Sequence, residues 1–130
     1  MGRGIDADPR ARFFEAARDL LCVLDAEGVV LHGNPSWRRL LGIGSEQLIG
    51  QTLSGLVHPA DRETFDAHLA SLRFGARRAR LEARFVGAEG RSRWMGFSFA
   101  REPGSAEIHG VGRDITDRRV LYEVARGILR

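Results

Sequence analysis

Four histidines, a single cysteine and a run of arginines are the side chains in this sequence with chemistry to offer. His32, His58, His68 and His109 could each ligate a metal or a haem iron. None lies in a His-Glu-x-x-His pair, and no Gly-x-Ser-x-Gly elbow is present. Cys22 stands alone, which rules out an internal disulfide and a cysteine-based zinc cluster. Gly42-Ile-Gly44 and Gly110-Val-Gly112 begin like dinucleotide loops but lack the third glycine. Asn34-Pro35-Ser36 fails as a glycosylation site because of its proline. Asp61 and Arg62 could brace a pocket through an ion pair. The plainer reading is a first-turn acid favoured by the helix dipole beside a solvated arginine, preferred for Arg62 and left open for Asp61. No catalytic constellation emerges, so an enzyme is not expected, and neither is a metal site.

The chain has 130 residues, 43% hydrophobic and 28% charged, enough for one soluble globular domain with one core. Every one of its 20 basic residues is arginine, and the net charge is a modest +3. Arg73, Arg77, Arg78, Arg80 and Arg84 cluster, but no aromatics interleave with them as a single-strand nucleic-acid site requires, so a nucleic-acid partner is not expected. No apolar run approaches ~18 residues and the N-terminus lacks the apolar centre of a signal peptide, so membrane insertion is not expected and the expected location is cytoplasmic.

The elements that would position these side chains can be followed in order. Asp8-Pro9 opens a helix whose stripe of Phe13, Ala16, Ala17, Leu20 and Leu21, widened by Phe14, must cover a sheet or a second chain. Leu20–Leu24 and 29–32 read as strands joined by the Asp25–Gly28 turn. Asn34 is expected to cap a short helix with Pro35 at its first position, Trp37, Leu40 and Leu41 on its apolar face, and Gly42 as its stop. Ser45 is expected to cap a single turn closed by Gly50, and Leu53, Leu56 and Val57 make another short turn. The longest helix runs from His58-Pro59 to about Leu72, burying Phe65, Leu69 and Leu72. Three strands follow, with Leu81, Ala83 and Phe85 alternating in one and Met95, Phe97 and Phe99 sharing a face of the next, opposite Trp94. The last, 108–115, is loosened by Gly110 and Gly112 and leads into a helix from about Asp117, with Leu121, Val124 and Ile128 in a-and-d-like positions. The class is α+β: a five-stranded antiparallel sheet, short helices on one face, and N-terminal and C-terminal flanking helices.

These residues resemble a PAS domain. Asp25-x-x-Gly28 is similar to the family's opening turn, and Asn34-Pro35 with Leu40-Leu41-Gly42 resembles its "N-x-x-x-x-x-L-L-G" segment. Leu48-Ile49-Gly50 matches the next turn, with Gln47 where glutamate is usual. His58-Pro59-Ala60-Asp61-Arg62 is similar to "H-P-D-D-R", and Asp114-Ile115-Thr116 to the closing "D-I-T". The division expected is 1–12 as an N-terminal extension and start of the flanking helix, 13–116 as the PAS domain, and 117–130 as a signalling or linker helix.

The resemblance implies a sensory and signal-relay module of a bacterial signalling protein, most simply a sensor histidine kinase, in which Asp114, Ile115 and Thr116 couple the sheet to the exit helix. The alternatives are a ligand-free structural dimerisation module or a part of a diguanylate cyclase or transcription regulator; a haem sensor ranks last. A small-ligand pocket, if present, would be lined by Trp37, Leu41, Leu53, Leu56, Phe65, Leu69, Leu81, Phe85, Phe97 and Val111. A homodimer would pair through Phe13, Phe14, Trp94, Leu121 and Val124, with the N-terminal helix or a second subunit covering Trp94. His68 is the residue that family haem ligation would point to, but the flavin-type Asn-Cys-Arg-Phe-Leu-Gln segment is absent and Cys22 reads as a buried core residue. Neither haem nor flavin is expected as a cofactor. The remaining partner expected is the output domain of the parent protein.

Overall fold

Five strands form: the continuous apolar run β1 (Leu20–Leu24), then β2 (Val30–Gly33), the alternating β3 (Arg78–Val86) and β4 (Ser92–Arg101), and β5 (Ile108–Asp114). They form one antiparallel sheet in the order β2-β1-β5-β4-β3. Three of the pairings join sequence neighbours. The fourth, from Leu20 opposite Gly112 to Leu24 opposite Ile108, brings the first strand beside the last. The computed structural model describes residues 8–128, so the first seven residues of the expected extension and the last two of the chain lie outside the described residues, as does the side chain of Ile128.

The helices are α1 (Pro9–Ala16), α2 (Ser36–Leu41), α3 (Ser45–Leu48), α4 (Pro59–Arg73) and α5 (Thr116–Ile128), with a 3-10 turn at Leu53–Leu56. Asp8 accepts a hydrogen bond from the Arg10 N–H ahead of Pro9, and the His58 Nδ1 accepts one from the Ala60 N–H ahead of Pro59. Both are helix starts in which proline takes a position whose N–H would lack a partner. Gly42, at φ +70°, closes α2 in the left-handed conformation, its N–H donating to the Arg38 carbonyl. Ser45 is the first residue of α3 and its hydroxyl turns away to the Gly33 carbonyl, so it does not cap as expected; Gln47 Oε1 accepts the Gly44 N–H instead.

The core lies between α2–α4 and one face of the sheet. α4 contributes Phe65, Leu69 and Leu72; β4 contributes Met95, Phe97 and Phe99; β1 contributes Leu20, Cys22 and Leu24. On β5 the inward positions fall to Ile108, Gly110 and Gly112. This corrects the expectation for Val111, which is 44% exposed on the outer face. The reason is spatial: the Phe97 and Phe99 rings stack 5.0 Å apart and lie over β5, where only hydrogen fits. A Cβ at Gly112 would stand 2.5 Å from the Phe97 ring, and one at Gly110 would stand 2.8 Å from the Phe99 ring. The N-terminal helix ends at Ala16, so Leu20 and Leu21 of the expected stripe belong to β1. α1 buries none of its residues, Phe13 is 76% exposed, and Phe14 is half-buried.

The inward glycines give a test of register. Gly112→Ala should destabilise the domain by about 1–3 kcal/mol through overpacking against Phe97, whereas Val111→Ala on the same strand should change stability by less than about 1 kcal/mol. Urea unfolding of both variants measures this, and equal losses would contradict the assigned faces.

Candidate functional site

The junction between α1 and β1 is held by one buried amide. The Asn34 side chain does not cap α2 as expected. Its Oδ1 accepts the Leu21 N–H at 2.9 Å, and its Nδ2 donates to the carbonyls of Asp19 at 2.9 Å and Ala17 at 3.3 Å. Asn34 is 1% exposed, and every hydrogen bond it makes replaces one to water. The Ser36 hydroxyl donates to the same Ala17 carbonyl at 2.8 Å, and the Trp37 Nε1–H donates to the Leu21 carbonyl at 3.0 Å. The strand β1 is thus fastened to the start of α2 by side chains, and Trp37 is delivered indole-first into the core.

The interior is filled with rings. Trp37 meets Phe85 edge-on at 6.4 Å and Phe97 at 6.3 Å, and Phe65 meets Phe85 at 5.8 Å and Phe99 at 5.9 Å, both edge-on. These offset and T-shaped arrangements are the favourable ones for aromatic quadrupoles. Of the expected pocket residues, Trp37, Leu41, Leu53, Leu56, Phe65, Leu69, Phe85 and Phe97 are buried together, Leu81 is half-buried, and Val111 lies across the sheet. Cavities of about 600 and 440 Å³ open instead at the surface, on the outer sheet face and at the β4–β5 hairpin.

The first turn of α4 is clamped to β3. Asp61 takes both arms of the Arg84 guanidinium, at 2.8 and 3.0 Å, and the Arg84 backbone N–H at 2.8 Å. This hydrogen bonding to Arg84 holds the Asp61 carboxyl below its ordinary range against the opposing effect of burial. Arg62 is not solvated as expected. Its Nε and Nη2 donate to the Ser54 and Val57 carbonyls at 3.1 and 2.9 Å, tying the 3-10 turn to α4.

The remaining reactive groups are dispersed. Burial pushes the Cys22 thiol up to about 12, leaving it unreactive at neutral pH. His68 is half-buried, with its Nδ1 2.9 Å from the Thr64 carbonyl one turn back. His32 is exposed, and His109 sits 3.6 Å from each of Glu102 and Glu107. Among the described residues no three of His, Cys, Asp and Glu group to hold a metal ion.

The junction to α5 is where backbone, charge and aromatic contacts meet. The Trp94 N–H donates to the Thr116 hydroxyl at 2.9 Å, and the Ile115 N–H donates to the Trp94 carbonyl at 2.8 Å. Asp114 accepts the Thr116 N–H at 2.9 Å and pairs with Arg93 at 3.3 Å. Thr116 therefore serves the sheet rather than capping the helix. Beyond it, Glu82 on β3 pairs with Arg118 and, at 3.5 Å, with Arg119, whose guanidinium lies 4.0 Å over the Trp94 ring. Trp94 is half-buried on the outer face, with the guanidinium groups of Arg84 and of Arg119 on α5 over its ring. Farther along, Val120, Leu121, Tyr122 and Val124 are all exposed. The Glu82 clamp escapes sequence reasoning because its partners stand 36 and 37 positions away, and no local spacing links them.

A single antiparallel sheet with α2–α4 on one face, and an exit helix fixed to side chains of β3 and β4, defines the class as an α+β module. The chain matches the PAS fold over residues 9–115 and belongs to that family. The PAS domain of a Colwellia psychrerythraea protein is similar at 27% identity, with a TM-score of 0.75, covering 83% of this chain and 95% of that one. The PAS domain of an HTR-like protein from Haloarcula marismortui is 22% identical, with a TM-score of 0.73, over 87% of this chain and 95% of that one. A domain of a sensory box sensor histidine kinase/response regulator from Geobacter sulfurreducens is 22% identical, with a TM-score of 0.71, over 85% and 96%. No curated protein matches the chain. The family is one of sensory modules, not a catalytic one. Among the described residues no helix is long and apolar enough to cross a membrane.

Two substitutions test the joints. Asn34→Ala should lower stability by about 2–4 kcal/mol, because it strands the Leu21 N–H and the Asp19 carbonyl, the Ala17 carbonyl keeping its Ser36 partner. Thermal and urea melts measure it, and a loss under about 1 kcal/mol would contradict the buried hub. For Asp61, a carboxyl held low by folding adds stability that is complete above its unfolded value of about 4 and is lost as pH falls through its folded value. Asp61→Asn should therefore be less stable than the parent at pH 7, with the difference shrinking below about pH 4. A difference that stays constant across that window would refute the assignment.

Proposed function

We propose that the chain is a signal-relay module of a bacterial signalling protein acting in the cytoplasm, most simply a sensor histidine kinase, and that α5 carries the state of the sheet to an output domain. One observation carries this reading: α5 is attached to the sheet by contacts that a small shift of β3 or β4 would alter together, namely Trp94 with Thr116 and Arg119, and Glu82 with Arg118 and Arg119. A displacement of these strands biases the helix between a docked and a released arrangement. Asp114 and Ile115 set the hinge, since both bond to backbone or side chains on β4. The Geobacter sulfurreducens domain, similar in fold, comes from a protein named as a sensor histidine kinase/response regulator, which supports the choice of output.

The second reading, a ligand-free dimerisation module, is favoured by a different observation. The expected pocket is occupied by five mutually touching aromatic rings, and the apolar stripe of α5 stands open with Leu121 69% exposed. In a homodimer Leu121 and Val124 would pair across the axis, with Phe13 and Phe14 adding apolar area. A PAS domain of similar fold, from the quorum-sensing receptor RpfR of Cronobacter turicensis, is described in complex with C12:0. In the present chain a ligand of that size would have to displace the rings.

The two readings separate in a chimaeric kinase. Residues 8–128 would replace the PAS domain of a sensor histidine kinase, and autophosphorylation would be measured for the parent sequence, Glu82→Gln and Arg119→Gln. The relay reading expects each variant to shift activity by about five-fold, the equivalent of releasing one partly exposed ion pair or cation–π contact of about 1 kcal/mol. Unchanged activity in both variants, with a dimer of bare mass by native mass spectrometry, would overturn the relay and leave the dimerisation module.

A further inference from the structure

The outer face of the sheet has a shape and charge that the relay does not use. Beyond Trp94, the outward residues of β4 are the small Gly96, Ser98 and Ala100, while the positions beside them on the flanking strands carry larger side chains: Arg78 and Arg80 on β3, and Val111 and Arg113 on β5. The result is a trough along β4. Two cavities of about 600 and 200 Å³ share Arg80, Ser98 and Val111 and so run into one another along it. Its walls stand on strands two apart in the sheet, about 10 Å between backbones. Ile115 closes one end, since a Cβ at Gly96 would lie 3.6 Å from its side chain.

The charge in the trough is mainly positive. Glu82 is already paired with Arg118 and Arg119. Asp19 is 3.8 Å from Arg113. At the hairpin end, Glu102 and Glu107 flank His109. Arg78 and Arg80 make no ion pair among the described residues and are exposed. They sit two positions apart on one strand, about 6.7 Å, which is the spacing of alternate side chains in any extended peptide.

We propose that this trough docks an extended acidic segment of a partner protein, with carboxylates at alternate positions against Arg78 and Arg80 and the intervening side chains against Val111. A duplex about 20 Å wide cannot enter a trough of this width. A single nucleic-acid strand would want exposed rings for stacking, and the aromatic on this face, Trp94, is covered by Arg119. The trough borders the α5 junction at Glu82 and Ile115, but Arg78 and Arg80 take part in none of the α5 contacts, so the proposal stands whichever reading of the relay holds.

The test is fluorescence anisotropy on the full chain with a labelled peptide of alternating glutamate and valine, a lysine–valine control, and an oligothymidine strand. The glutamate peptide should bind, weaken with added salt, and lose at least about ten-fold in affinity in the Arg78→Glu/Arg80→Glu variant. Arg80→Gln should show a smaller loss in the same direction. Both arginines are exposed, and circular dichroism melts would confirm that the variants fold. The proposal is overturned if the glutamate peptide does not bind, if charge reversal leaves its affinity unchanged, or if the lysine peptide or the oligothymidine binds more tightly.

Discussion

One buried amide decides how the start of α2 meets β1. Asn34 follows β2 directly, and its carboxamide reaches back to three backbone groups around the start of β1. An amide is suited to this because it accepts and donates at once; a carboxylate at the same position would lose both donors, and an apolar residue would leave the Leu21 N–H and the Asp19 carbonyl without their partner. Once Asn34 is seated, Trp37 is three residues on, and its indole N–H finds the Leu21 carbonyl. The ring then stands between Phe85 and Phe97. Polar satisfaction at the junction and ring packing in the core therefore enforce the same chain path, and neither is easily altered alone.

The same logic explains the glycines of β5. A sheet packed on one face by five large rings needs relief somewhere, and β5 supplies it between Phe97, Phe99 and Cys22. The strand gives up inward side chains and presents Val111 and Arg113 outward. Aromatic density inside and a trough outside are thus linked: β5 turns its larger residues out because the interior has no room for them. On β4 the order is reversed, with Met95, Phe97 and Phe99 inside and Gly96, Ser98 and Ala100 outside.

Much of this is legible in the sequence, and what is not shares a cause. Turn and cap chemistry is local, so Gly42, Asp8-Pro9 and His58-Pro59 declare their helix ends at a distance of two or three residues. Strand alternation places Phe85, Met95, Phe97 and Phe99 on one face for the same reason. Partners far along the chain leave no such local mark. Asn34 has the residue type of a helix cap, but the backbone groups it bonds lie 13 to 17 positions upstream, and they win over the local site. Val111 reads as an inward residue because it is the apolar one between two glycines, and nothing in that segment reveals the rings on β4. Arg62 reads as a solvated surface charge until the 3-10 turn folds its carbonyls against it.

The division between interior and junction bears on how such a module can carry a signal. A close-packed core of stacked and edge-on rings resists small displacement, since each ring moves only if its neighbours do. The contacts on α5 are of another kind: partly exposed ion pairs, one cation–π stack and a few hydrogen bonds at a strand end, each contributing about 1 kcal/mol or less. In the proposed relay, a perturbation that the core transmits as rigid motion of β3 and β4 would therefore be released where the restraints are weakest. Glu82 on β3 and Trp94 on β4 both hold the same residue, Arg119, so a relative slide of these two strands cannot satisfy both contacts. In the proposed relay, rigidity within the sheet and weak, shared restraint at its exit would together make the first turn of α5 the part of the molecule that yields.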